Sequence, residues 1–154
     1  MPEVKSQVTI KAPLALVWDI AQDVTKFPEI MPDLNYVKVL ETSQPTPVTT
    51  RTVTEWEGRI KQLNRNISWT EEDVWNSEEH ACYFWQLKGD FTDYRGVWKF
   101  SSVAGGTLLD LSVEYAFEIP LIGALMKSVL QKIMQQNADM MSAALKVESE
   151  KRAG

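Results

Sequence analysis

The chain has 154 residues, of which 44% are hydrophobic and 24% charged, with a formal charge of −5, one cysteine and one histidine. That length suits one domain, 1–154, with a core large enough to need no staple. An acidic chain without clustered Lys and Arg argues against nucleic acid as a partner, and Cys82 and His80 alone build neither an internal disulfide nor a zinc site.

No cofactor and no metal are expected. The first residues, MPEVKSQVTI, lack the apolar stretch of a signal peptide, and no segment reaches the ~20 apolar residues of a membrane span. A cytoplasmic, reducing location is the expectation.

In chain order, Val4, Ser6, Val8 and Ile10 alternate with polar residues and predict a first strand. Pro13 opens a short helix whose apolar face is Leu14, Val17, Trp18 and Ala21. Asp23 caps a second short helix carrying Phe27 and Ile30, which ends before Pro32. Strands follow over Asn35 to Glu41, Val48 to Glu57 and Arg59 to Glu71, with Gly58 as a tight connection, and a short strand near Val74. Two more run from Ala81 to Lys88 and from Tyr94 to Val103. Gly105-Gly106 makes a hairpin turn into Thr107 to Phe117. From Leu121 to about Lys151 one helix of roughly 45 Å is predicted, with a frayed tail after about Glu148. The fold class is α+β: a curved antiparallel sheet wrapped around a long C-terminal helix.

The candidate pocket follows from this alternation. Trp69, Tyr94, Trp98 and Phe100 on strands, with Leu111, Val113 and Tyr115, face the interior, and the small Gly96 leaves room among them. Met126, Leu130, Ile133, Asn137 and Met141 lie on the apolar stripe of the helix. Each aromatic alone reads as packed core; together with adaptable methionines they predict an apolar ligand pocket. Asn137 must bond a strand side chain or serve as a polar handle.

Arg51, Glu55, Glu71 and Asp73 lie where alternation is weak. The default places such charges on the solvent face, and an inward Arg–Glu pair would be a pocket's polar end. Arg51, Glu55, Asp73 and Tyr115 are the candidate catalytic residues, with Tyr94 a further acid–base group and Asn137 an orienting amide. The segment from Ile119 to Met126 packs at the sheet end or forms a pocket entrance that touches membranes transiently. The oligomeric state is not readable.

Five stretches then carry a resemblance: V-x-I-x-A-P-x-x-x-V-W-x-I-A-x-D at Val8 to Asp23, F-P-E-I-M-P at Phe27 to Pro32, I-S-W-T-E-E at Ile67 to Glu72, G-D-F-x-x-Y-R-G-x-W-x-F at Gly89 to Phe100, and the final helix. In this order they resemble the START-like (SRPBCC) superfamily with its helix-grip fold. Within it the chain is similar to the polyketide cyclase/dehydrase and coenzyme Q-binding-protein group. The resemblance implies a deep apolar cavity between sheet and helix, holding a sterol, lipid, quinone or polyketide.

In the aromatase/cyclase branch an arginine that polarises a ketide carbonyl tends to follow the S-W-x-x-E segment. Here Asp73 follows Ser68 to Glu72, and a carboxylate does not stabilise an enolate; Arg51 or Arg95 would have to replace it by pointing inward. The leading expectation is therefore a binder or carrier of a small hydrophobic ligand (lipid, quinone or polyketide-like). The alternative is an aromatase-type cyclase/dehydratase acting on a bound poly-keto substrate. A third reading is a module that docks a protein or ribosomal partner.

Overall fold

The computed structural model describes residues 2–117 and 124–154. Strict alternation shapes β1 (Glu3–Ile10), where Val4, Ser6 and Ile10 are buried and Glu3, Lys5 and Gln7 face out. α1 (Leu14–Gln22) starts at Pro13, whose carbonyl accepts the N–H groups of Leu16 and Val17, both at 3.1 Å. A 3-10 turn at Val24–Lys26 leads into the single turn of α2 (Phe27–Ile30). The meander then runs through β2 (Leu34–Thr46), β3 (Thr49–Ile60), β4 (Arg65–Asn76), β5 (Ala81–Gly89), β6 (Asp93–Val103) and β7 (Gly106–Ala116), and the long helix α3 spans Ala124–Ala153. All neighbours pair antiparallel in one sheet ordered β1-β7-β6-β5-β4-β3-β2. This is the predicted α+β helix-grip architecture.

Three local expectations change. Gly58 is not a connection: it lies inside β3, opposite Ile67. The turn falls on Lys61–Leu63 and Asn64, whose φ of 49° is a left-handed conformation that Asn tolerates. Val74 belongs to β4, because it pairs with both Arg51 and Tyr83. α3 runs to Ala153, just past the predicted end near Lys151, aided by the bond from Arg152 Nε to Glu148 Oε1 at 2.8 Å. The predicted hairpin at Gly105-Gly106 is present, with Gly105 at φ 82°. Most of the apolar segment from Ile119 to Met126, including its expected role as an entrance, lies outside the described residues.

The position of α3 decides where a cavity can form. β1 is an edge strand, and an unpaired edge must be covered or charged. α3 covers it with side chains. Gln131 Nε2 donates to the Glu3 carbonyl at 3.2 Å, Gln135 Nε2 to Lys5 at 2.7 Å and Lys146 Nζ to Thr9 at 2.9 Å, while Glu150 accepts the Lys11 N–H at 2.9 Å. The helix is therefore docked along one side of the sheet, and the inner face of β3 to β6 looks across a gap.

Two aromatic clusters border that gap. In one, Trp18 meets Trp75 and Phe100 edge-on at 5.5 and 5.3 Å. In the other, Trp56 stacks on Trp69 at 5.9 Å, and Phe91 stacks on Tyr94 at 4.5 Å. No described helix is long and apolar enough to cross a membrane.

Candidate ligand-binding site

The gap holds a cleft with about 100 Å³ of free interior. Its sheet wall includes Trp56, Trp69, Tyr94 and Trp98, its floor Leu111 and Val113, and its helix wall Asn137, Ala138 and Met141. Of the pocket residues expected from sequence, Trp69, Tyr94, Trp98, Leu111, Val113, Asn137 and Met141 line this cleft.

Phe100, Tyr115, Met126, Leu130 and Ile133 are placed elsewhere. Phe100 is buried against Trp18, and Ile133 is core. Tyr115 donates its hydroxyl to Gln131 Oε1 at 2.7 Å. Leu130 packs half-buried on the core, and Met126 is half-buried in the first turn of α3. Among the described residues of α3, those that line the cleft run from Met134 to Met141, while the helix bonds the β1 edge from Gln131 through to Glu150.

The charged candidates separate by face. Arg51 is on the outer face, 2.7 Å from Glu72 and 3.7 Å from Glu41. Glu55 is there too, accepting the Tyr36 hydroxyl at 2.7 Å, a bond that pushes the Tyr36 pKa up to about 12. Arg95 lies 3.4 Å from Glu114 and is exposed. None of these three supplies a polar end to the cleft.

Glu71 and Asp73 correct the default placement of charge. Along β4 the residues Trp69, Glu71, Asp73 and Trp75 alternate onto the inner face, leaving Glu71 5% and Asp73 4% exposed. The two tryptophans are too large to face out at no cost, and period-two geometry carries the acids in with them.

The acids are not left bare. Trp69 Nε1 donates to Glu71 Oε1 at 2.7 Å. Thr54 and Thr52 hydroxyls donate to Asp73 Oδ2 at 2.7 and 3.1 Å, and Trp56 Nε1 donates to the Thr54 oxygen at 2.7 Å. Burial first, then the charge of Asp73, push the Glu71 pKa well above the usual carboxylate range. Burial also raises Asp73, against the opposing bonds from Glu71 and the threonines. Both carboxyls therefore hold a proton more tightly than a free acid does, Glu71 the more strongly.

Burial and the two acids push the thiol of Cys82 and the phenol of Tyr94 upward, so both stay neutral. Glu71 lines both the main cleft and a second void of about 20 Å³, which Asp73, Cys82 and Leu145 also line. Sequence reasoning also missed Arg59 and Asp33 on the cleft wall. Asp33 is 3.4 Å from Lys61, and Arg59 bonds Asn64 and Asn66 in the β3–β4 turn.

The pair makes a pH prediction. Both acids bind protons more tightly when folded, so their contribution is fully present below the unfolded pKa values of 4.5 and 3.8. It is lost as pH rises through the folded values. Thermal melting is expected to fall as pH rises above the ordinary carboxylate range, and the slope should flatten in Glu71→Gln. Equal slopes in the two proteins would show that Glu71 is not desolvated as described.

A seven-stranded sheet gripping one long helix, with an apolar cleft between them, defines a helix-grip protein of the class that binds small hydrophobic ligands. The chain belongs to the family described as "Polyketide cyclase / dehydrase and lipid transport", whose model matches residues 10–142. It is 27% identical over 132 residues to the ribosome association toxin RatA of Pseudomonas aeruginosa, covering 84% of this chain and 82% of that one. Among solved structures it resembles TTHA0849 from Thermus thermophilus, with 26% identity, a TM-score of 0.90 and coverage of 99% and 100%. It also shares its fold with the Zhui aromatase/cyclase from Streptomyces sp. R1128, at 20% identity, a TM-score of 0.87 and coverage of 99% and 95%.

Proposed function

We propose that this protein binds and carries a small hydrophobic molecule in the cleft between the sheet and α3. The observation that carries the reading is the cleft itself, whose wall is built from tryptophans, a tyrosine and methionines. Met31, Met134, Met140 and Met141 all border it, and thioether side chains re-pack around cargoes of differing shape. The free interior can therefore widen on loading. Brief contact with a lipid surface during exchange suits an apolar cargo, and vesicle co-sedimentation of loaded and empty protein checks that step.

Native mass spectrometry of freshly purified protein, with organic extraction, tests the main reading. A co-purifying apolar molecule is expected. Ala138→Trp, which fills the cleft from α3, should weaken uptake of the neutral fluorophore phenylnaphthylamine by about tenfold or more, since the lost apolar contact exceeds ~1.4 kcal/mol. Protein that arrives empty and takes up no fluorophore would end this reading.

One observation favours a second reading, a cyclase/dehydratase. Glu71 borders the cleft with its carboxyl pKa pushed up by burial, and a carboxyl biased towards its neutral form suits the general acid that loss of a hydroxyl requires. On this reading Glu71→Gln keeps ligand binding and loses dehydrated product from a poly-keto substrate. Unchanged product formation in that variant would remove Glu71 from any chemistry.

A further inference from the structure

Only one face of β5 serves the cleft. Phe84 points into it, while Tyr83 and Trp85 stand on the outer face of the sheet, 39% and 36% exposed. Leu87, just beyond them, is 50% exposed. Tyr83 lies between Val97 of β6 and Val74 of β4, both half-buried, so the apolar surface runs unbroken across three strands. Single exposed apolar side chains need no explanation, but a contiguous set marks a contact surface. Trp and Tyr, with Arg beside them, are the residue types enriched where proteins meet.

Charge says what covers this face. In the next row Trp85 has Arg95 of β6 on one side and Glu72 of β4 on the other. Arg95 is loosely held, 3.4 Å from Glu114 and 3.9 Å from Asp93, with 56% of its side chain exposed. Arg51 binds Glu72 through Oε1, at 2.7 Å from both Nε and Nη2, which leaves Oε2 for an incoming donor. Both arginines stand beside carboxylates, so the face lacks the surplus of cations that a nucleic acid or an anionic membrane requires.

A cation on one side of a tryptophan and an anion on the other make the face complementary to itself. Turned over about an axis along the strand, it meets a copy of itself with opposite charges opposed. Turned over about an axis across the strands, it would set Arg95 against Arg95.

We propose that two copies of this chain pair through this face, as a twofold dimer whose axis runs along β5. Trp85 packs on Trp85 of the partner subunit, and Arg95 faces Glu72 of the partner subunit, twice over. The sheets stack ~10 Å apart with their strands roughly aligned, as packed sheets do. The sheet curves away on either side, so β4, β5 and β6 carry the contact, which falls below the ~1,200 Å² of a standard interface. The dimer is accordingly reversible, with a Kd on the order of 10–100 µM. The cleft and α3 lie on the opposite face of the sheet, so the pairing is independent of the carrier reading.

Sedimentation velocity of the full chain, from about 5 µM to about 1 mM, brackets that Kd. A concentration-dependent shift from monomer to dimer is expected. Trp85→Ser should weaken it by at least about thirtyfold, the scale of a truncated hot spot. Arg95→Glu and Glu72→Arg should each weaken it by more than about tenfold, since each sets like charges together twice. Mixed in equal amounts, these two variants should associate as wild type does, because both contacts then oppose an arginine to a glutamate.

Monomer throughout, or a dimer that Trp85→Ser leaves intact, overturns the proposal. So does a mixture that stays monomeric while both variants keep the wild-type melting temperature. Should Glu72→Arg fail to fold, Trp85→Ser and Arg95→Glu, both at exposed positions, still decide.

Discussion

Replacing Gly96 with alanine is expected to cost about 3 kcal/mol of stability, at the upper end for an overpacked interior. Gly96 lies in β6 between Phe84 of β5 and Val113 of β7. A Cβ built there would stand 2.2 Å from the Ser112 carbonyl oxygen and 2.5 Å from Phe84 Cζ. A ring can tilt away, but the carbonyl belongs to the β6–β7 ladder and moves only if the strands separate.

For a protein of this size the loss corresponds to roughly 10 °C in melting temperature. Phe84→Leu added to Gly96→Ala should restore only part of it, because the second clash is with backbone. Calorimetry or urea titration reads the result. A change under about 0.5 kcal/mol, the range of a surface substitution, would show that β5, β6 and β7 do not approach this closely. The site would suffer as well, since Phe84 packs on Tyr94 at 5.6 Å and both line the cleft.

Leu145→Ala should destabilise by about 3 kcal/mol, within the 2–5 kcal/mol seen for deleting buried leucine side chains. Leu145 is 1% exposed and borders the void of about 20 Å³ beside Trp75, Cys82 and Trp98. Truncation would enlarge a void that already exists, and the cost of a cavity grows with its volume. The polar bonds from α3 to β1 are solvent-exposed for the most part, and such bonds contribute little. Lys146→Ala, one residue on, should therefore cost about 0.5 kcal/mol or less. Urea titrations of the two variants side by side make the comparison. Similar losses in both would mean that the edge bonds, not the apolar anchor, hold the helix in place.

Parts of the site were readable along the chain for a simple reason. Tyr94, Gly96, Trp98 and Phe100 alternate with Arg95 and Lys99, and the pleat alone puts the aromatic set on one face. The same rule reads Trp69, Glu71, Asp73 and Trp75 as one inward face, so the acidic pair was legible too. It was obscured by a competing rule, that charges on strands face water. That rule gives way here because two tryptophans outweigh two carboxyls, and because threonine and indole donors wait on the inner face. Gly58 misled for a related reason: a glycine within a strand carries the same local signal as a glycine in a turn.

The sequence by itself determined the periodicities, hence the strands, their inward faces and one long final helix with an apolar stripe. It did not determine which part of that stripe meets the cleft. That depended on Gln131, Gln135 and Lys146 finding the free carbonyls of β1, contacts about 130 residues apart whose geometry no local pattern encodes. It also did not determine that burial pushes the Glu71 pKa upward. Desolvation is a sum over everything packed around a group, and the neighbours that desolvate Glu71 come from strands distant in sequence and from the helix. Tertiary structure alone decided where the cleft lies and that the Glu71 carboxyl is buried in its wall.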